Sequence, residues 1–111
     1  MTDVKKKPHL TYVTGVVLQS IDRGHKYGFD IMDISGLPDG TVYPALRRLE
    51  AAGYLSADWE DADRARARGR PSRRYYDLTA AGRAELERAR ARFPAIDAIS
   101  AAPTTEERRA G

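Results

Sequence analysis

The sequence predicts a mainly α-helical (α+β) domain: short helices, then a two-stranded β-hairpin, then a last helix. Three observations predict it. The run Gly40-Thr41-Val42-Tyr43-Pro44-Ala45-Leu46-Arg47-Arg48-Leu49-Glu50, followed by Gly53-Tyr54-Leu55, reads as an amphipathic helix that closes on glycine and enters a strand. At about 100° per residue, Val42, Ala45, Leu46 and Leu49 share one face, and Gly40, Tyr43, Pro44, Arg47, Arg48 and Ala51 fall opposite. Two alternating segments follow, Tyr54 to Trp59 and Arg73 to Leu78. Leu55, Ala57 and Trp59 share one side of the first; Arg74, Tyr76 and Leu78 share one side of the second, with Arg73, Tyr75 and Asp77 on the other. Between them, Arg64 to Arg74 holds six arginines and no acid.

The elements follow in order. Met1 to Pro8 is polar and expected to be frayed. Leu10, Val13, Val17 and Ile21 keep helical spacing, with Tyr12 and Val16 alongside, and this first helix ends near Gly24. Tyr27 to Ile34 forms a short second helix with Phe29, Ile31, Met32 and Ile34 as its apolar residues, and Ser35 to Asp39 is the turn. Two starts fit the third helix. Asp39 caps it, so that Pro44 lacks a donor just past the first turn, or the helix starts near Gly40 or Thr41 and the missing donor is free anyway. Thr79 caps a fourth helix, about Ala80 to Phe93, whose apolar spacing is Leu86, Ala89 and Phe93, and Pro94 stops it. The remainder holds Ile96 and Ile99 and is otherwise Ala/Thr/Glu/Arg-rich, which predicts a disordered tail over 95–111.

A helix with a basic face followed by a hairpin with a basic tip describes a winged helix-turn-helix. The helix enters a major groove and the wing reaches flanking phosphates or a minor groove. The Gly40 to Glu50 run resembles the signature of the PadR-like transcriptional regulators. So do Tyr27-Gly28-Phe29-Asp30-Ile31 before it, and Gly69-Arg70-Pro71, Tyr75-Tyr76 and Leu78-Thr79-Ala80-Ala81-Gly82 after it, all in the family's order across roughly positions 10 to 93. The chain departs from the family in the short stretch Met32 to Asp39, and in Pro38-Asp39 where Ser-Pro is common. The resemblance implies a dimeric bacterial-type repressor, often relieved by a small molecule. It also implies a dimer built from the first and last helices, through Leu10, Val13, Val17, Leu86, Ala89 and Phe93. The expected organisation is a flexible start over 1–8, a winged-helix DNA-binding domain over 9–78, a dimerisation helix over 79–94 and the tail.

Each site residue has a plainer reading beside the functional one. Arg47 and Arg48 bond to guanine edges or phosphates, or are a solvated face; the basic loop favours nucleic acid. Tyr43 donates to a phosphate or packs on the wing base, and the resemblance favours phosphate. Thr41 bonds a phosphate or caps its helix. Arg73 and Arg74 with Arg70 supply salt-sensitive phosphate binding. Arg68-Gly69-Arg70-Pro71 reads as thin and extended, suited to an A·T-rich minor groove or to an ordinary phosphate-contacting tip. Gly40 and Pro44 keep the face small enough for close approach. Asp58, Glu60, Asp61 and Asp63 temper the wing's charge or are solvated, and Trp59 beside Tyr76 is expected in the core.

Other classes find little support. His9 and His25 have no convergent partners for metal or general-base work, and no Ser/His/Asp, Cys/His or paired-ligand pattern appears, so no enzyme, cofactor or metal is expected. Zero cysteines exclude a disulfide framework and fit a cytoplasmic protein. Val16-Val17-Leu18 is broken by Thr14, Gly15 and Gln19, and lacks a cleavage site, so it is no signal peptide, and nothing approaches the ~20 apolar residues of a membrane span. At 111 residues the chain is one small domain that a dimer would help stabilise, and its net charge of +3 matters less than its concentration in the wing. The partners expected are double-stranded DNA at a pseudo-palindromic operator and a second copy of the chain, with no membrane; a small-molecule effector either sits near the dimer helices or is absent. The rival reading is a winged-helix interaction module whose wing docks on an acidic protein.

Overall fold

The computed structural model describes residues 9–102; the start expected to be flexible over 1–8 and the outer tail, 103–111, lie outside the described residues. The elements are α1 (Tyr12–Asp22), α2 (Gly28–Ser35), α3 (Asp39–Ala51), β1 (Leu55–Trp59), α4 (Ala62–Ala67), β2 (Arg74–Leu78) and α5 (Ala80–Arg92), followed by a 3-10 turn, Pro94–Ala98. This is a winged helix-turn-helix, mainly α with one antiparallel pair of strands.

α1 starts on a reciprocal cap: the Thr14 amide donates to the Thr11 hydroxyl at 3.1 Å and the Thr11 amide to the Thr14 hydroxyl at 3.0 Å. It is the central helix, with Val16, Val17, Leu18 and Ile21 buried. Gly36 ends α2 at φ +74°, where a side chain would be strained. α3 then begins earlier than either start read from the sequence. Asp39 is its first residue, and the Pro38 carbonyl accepts from the Thr41 and Val42 amides, each at 3.0 Å. Asp39 therefore caps nothing beyond its neighbour: its carboxylate accepts only from the adjacent Gly40 amide, at 2.7 Å. Pro44 lies inside the helix and removes one donor, yet the helix continues because Val42, Ala45, Leu46 and Leu49 are all buried in the core.

The hairpin pairs Leu55 with Leu78, Ala57 with Tyr76 and Trp59 with Arg74, so the expected sides are the observed ones. Core contact fades along it. Leu55 and Tyr76 are buried, whereas Trp59 is 65% exposed, because the outer end of the hairpin extends beyond the helices. The expectation of a core tryptophan is thus corrected. The basic loop is not open chain either. It holds α4, capped where the Arg64 amide donates to the Asp61 carboxylate at 3.1 Å, with Ala65 buried beneath it. Gly69 turns out of α4 at φ +68°, so Arg68-Gly69-Arg70-Pro71 is a helix end rather than an extended strap.

Thr79 caps α5 as expected, accepting from the Gly82 amide at 3.0 Å. α5 lies close on its neighbours: Gly82 touches the Tyr54 carbonyl, and Gly15 of α1 faces Ala89. Val17, Leu86 and Ala89 are therefore buried in this chain's own core and are not presented to a second chain, which corrects their assignment as dimer contacts. The predicted tail is packed through residue 102. Ile96 is fully buried, the Arg23 guanidinium donates to the Ile99 carbonyl at 3.1 Å, and the Ala102 amide donates to the Arg23 carbonyl at 2.8 Å. His25, buried, sits between the Asp30 carboxylate at 3.1 Å and the Ser100 carbonyl at 2.7 Å and ties this segment to α2.

Candidate nucleic-acid interface

The exposed side of α3 carries Gly40, Tyr43, Arg47 and Arg48, with Thr41 and Pro44 half-buried at its margin. The amphipathic spacing makes this unavoidable, since once Val42, Ala45, Leu46 and Leu49 are buried the other residues face outward. Tyr43 is set by a close approach. A Cβ at Gly28 would overlap the Tyr43 ring and hydroxyl, so the missing side chain lets the tyrosine lie across the start of α2. Packing and an exposed edge coexist, since Tyr43 remains 40% exposed.

The wing arginines divide by partner. Arg70 is bound two-pronged by Glu60, at 2.5 and 3.1 Å, and the Arg73 amide also donates to Glu60 at 3.3 Å. The hydrogen bond from Arg70 holds the Glu60 carboxyl down at about 2 against an ordinary 4.5, and Glu60 in turn raises the Arg70 pKa. Arg74 pairs with Glu50 at the end of α3, at 2.9 Å, which raises its pKa, and its guanidinium lies 5.2 Å from the Trp59 ring. Arg66 pairs with Asp63 at 2.8 Å. Arg73 stacks over Tyr27, 4.1 Å from the ring centroid. Among the described residues Arg47, Arg48, Arg64, Arg68 and Arg73 have no carboxylate within ion-pair distance.

The predicted set is thus brought onto two adjoining elements, with a division that spacing did not foretell. Arg70 and Arg74 are engaged as struts, and Arg68 stands on the tip. Glu60 and Asp61, expected to be solvated or charge-tempering, are a lock and a cap. Their signal was present as a glutamate ten residues before an arginine and an aspartate opening an Ala/Arg run, but spacing alone did not choose among the acids. Tyr76 of β2 is buried, and burial raises its pKa. Among the described residues no group of acids and histidines is placed to hold a metal ion, and no helix is long and apolar enough to cross a membrane.

A winged helix-turn-helix with arginines exposed on its third helix and wing is the fold of a class of regulators. The family pattern described as Transcriptional regulator PadR-like family matches residues 17–88, and this chain belongs to that family. Its members are transcription regulators, not enzymes. No curated protein matches the sequence. Solved structures with the same fold include a PadR family transcription regulator from Clostridium difficile R20291, at 23% identity and TM-score 0.65, over 78% of this chain and 92% of that one. A PadR-like transcription factor from Bacteroides fragilis has 24% identity and TM-score 0.60, over 77% and 82%. Bordetella bronchiseptica BpsR, whose DNA binding is regulated by 6-hydroxynicotinic acid, has 23% identity and TM-score 0.61, over 99% of this chain and 76% of that one.

Proposed function

We propose that the chain is a cytoplasmic repressor that binds double-stranded DNA sequence-specifically as a homodimer, on a pseudo-palindrome with half-sites about one helical turn apart. The observation that carries this reading is the exposed face of α3, where Tyr43 stands with Arg47 and Arg48 and the one exposed acid, Asp39, lies at the helix start, beside a basic wing in a PadR-like regulator. Arg47, central on that face, reads a base edge. Gly40, Thr41, Tyr43, Pro44 and Arg48 bring α3 against the backbone, and Arg68 and Arg73 take phosphates. Arg70 and Arg74 serve by holding the wing in place. The dimer surface is the corner where Leu10, Tyr12, Val13 and Phe93 stay partly exposed; Tyr12 and Phe93 meet edge-on there, with centroids 5.8 Å apart. The regulation of BpsR supports an effector-relieved reading, with the effector near the dimer helices.

The test is selection of bound duplexes from a randomised pool, followed by affinity of wild type and Arg47→Ala for the selected and a scrambled duplex. Arg47→Ala is expected to cost ~1–3 kcal/mol on the selected duplex and to relax preference at one base pair. An equal loss on both makes Arg47 a phosphate contact. A wild type without any preferred sequence, whose binding vanishes as salt rises, favours the acidic-protein rival.

A further inference from the structure

Of the four large apolar side chains exposed among the described residues, three meet at one place. Phe29 of α2, Tyr43 of α3 and Trp59 of β1 rim a cleft of about 370 Å³ that also takes in Tyr27, Arg73 and Arg74 and has no acidic lining. Exposed apolar surface gathered in this way on a small protein marks a binding surface. Its occupant must offer apolar edges to the rings and negative charge to the guanidiniums. The sugar–phosphate chain alternates these two chemistries, and the cleft is continuous with the α3 face that carries Tyr43. A site built to enclose a small molecule buries most of its ligand. Here two of the walls, Phe29 and Trp59, are each 65% exposed, which makes a shallow seat.

We infer that this cleft seats the backbone of one DNA strand, with Trp59 and Phe29 against deoxyribose and Arg73 and the Tyr43 hydroxyl on the adjoining phosphate. The assignment rests on the DNA reading above and adds two contact residues to it. Arg74 is a positioning residue in this arrangement, held between Glu50 and the Trp59 ring. Arg73, stacked on Tyr27, is the cation left for phosphate.

Trp59 is the chain's one tryptophan, so its emission reports on this cleft alone. The full chain is titrated with a short mixed-sequence duplex at low salt, and in parallel with benzoate and with poly-glutamate. The duplex is expected to change Trp59 emission and the other two probes to leave it unchanged. Trp59→Ala and Phe29→Ala are then expected to weaken binding to every duplex alike, by at least about fivefold, without altering the salt slope, because they remove apolar contact. Trp59→Phe retains most of the affinity. Arg73→Gln lowers the slope by about 0.9. Circular dichroism confirms that each variant folds. Duplex binding with unmoved emission, or with both alanine variants binding as wild type does, overturns the cleft assignment and leaves the DNA reading standing. Emission that answers to benzoate or poly-glutamate and not to duplex assigns the cleft to a small aromatic anion or an acidic protein instead. Failure of all duplexes to bind overturns both readings.

Discussion

Glu60 shows how much one side chain can organise. Its carboxylate receives both prongs of Arg70 and the Arg73 amide, and its own amide donates to the Arg73 carbonyl at 2.7 Å, so both sides of the wing close on it. With its pKa held down at about 2, the charged form is favoured in the fold. The stability it lends is present above its ordinary 4.5 and is lost as pH falls toward 2. Trp59 emission is therefore expected to report loosening of the wing in that window, and Glu60→Gln should reduce the pH dependence there. Gly82 is the second single-residue constraint. A Cβ would strike the Tyr54 carbonyl oxygen, which is backbone and cannot swing aside. Gly82→Ala should push α5 off the strand and destabilise the fold by ~1–3 kcal/mol in denaturant unfolding, whereas Gly36→Ala strains only a helix end in open space.

At the scale of elements, α3 and the wing differ in how they are held. α3 tolerates Pro44 because its buried face is complete; Pro44→Ala restores a donor and should stabilise the chain by up to ~3 kcal/mol in thermal unfolding. Arg64 on α4 and Arg68 just past its end stand about one helical turn apart. Converting both to glutamine should lower the DNA salt slope by about 0.9 for each phosphate no longer neutralised, while Arg66→Gln, already paired with Asp63, should change it less. Helices and strands were legible because burial writes a period into sequence: Val42, Ala45, Leu46 and Leu49 at helical spacing, Leu55 and Ala57 alternating. What stayed hidden depended on partners distant in sequence. No periodicity reveals that Ile96 fills the core beside α1, that Arg70 reaches back to Glu60, or that the outer end of β1 leaves Trp59 in solvent. The alternating Ala/Arg run concealed α4, whose cap is visible only once Asp61 is seen to accept from Arg64. The face of α3 was legible, and the cleft beside it was not, because Phe29 and Trp59 read as ordinary apolar positions.

At the scale of the whole molecule, folding and assembly use different residues. Leu86 belongs to the single chain's core, so Leu86→Ala should cost ~2–5 kcal/mol of unfolding free energy irrespective of protein concentration. Phe93, partly exposed beside Tyr12, belongs to the proposed contact between copies. Phe93→Ala should raise the dimer dissociation constant and weaken operator binding chiefly at low protein concentration, as read by sedimentation over a dilution series. A wild type that remains monomeric yet binds tightly removes the palindrome from the proposal.

The bond between Arg70 and Glu60 also has a consequence for engineering. It brings the two ends of residues 61–69 together, so the tip is a cassette whose frame is complete without it. Shorter or longer tips grafted there, or an affinity tag placed there, are expected to leave thermal unfolding of the helical core unchanged. A series of such grafts would turn the wing's reach into an adjustable length.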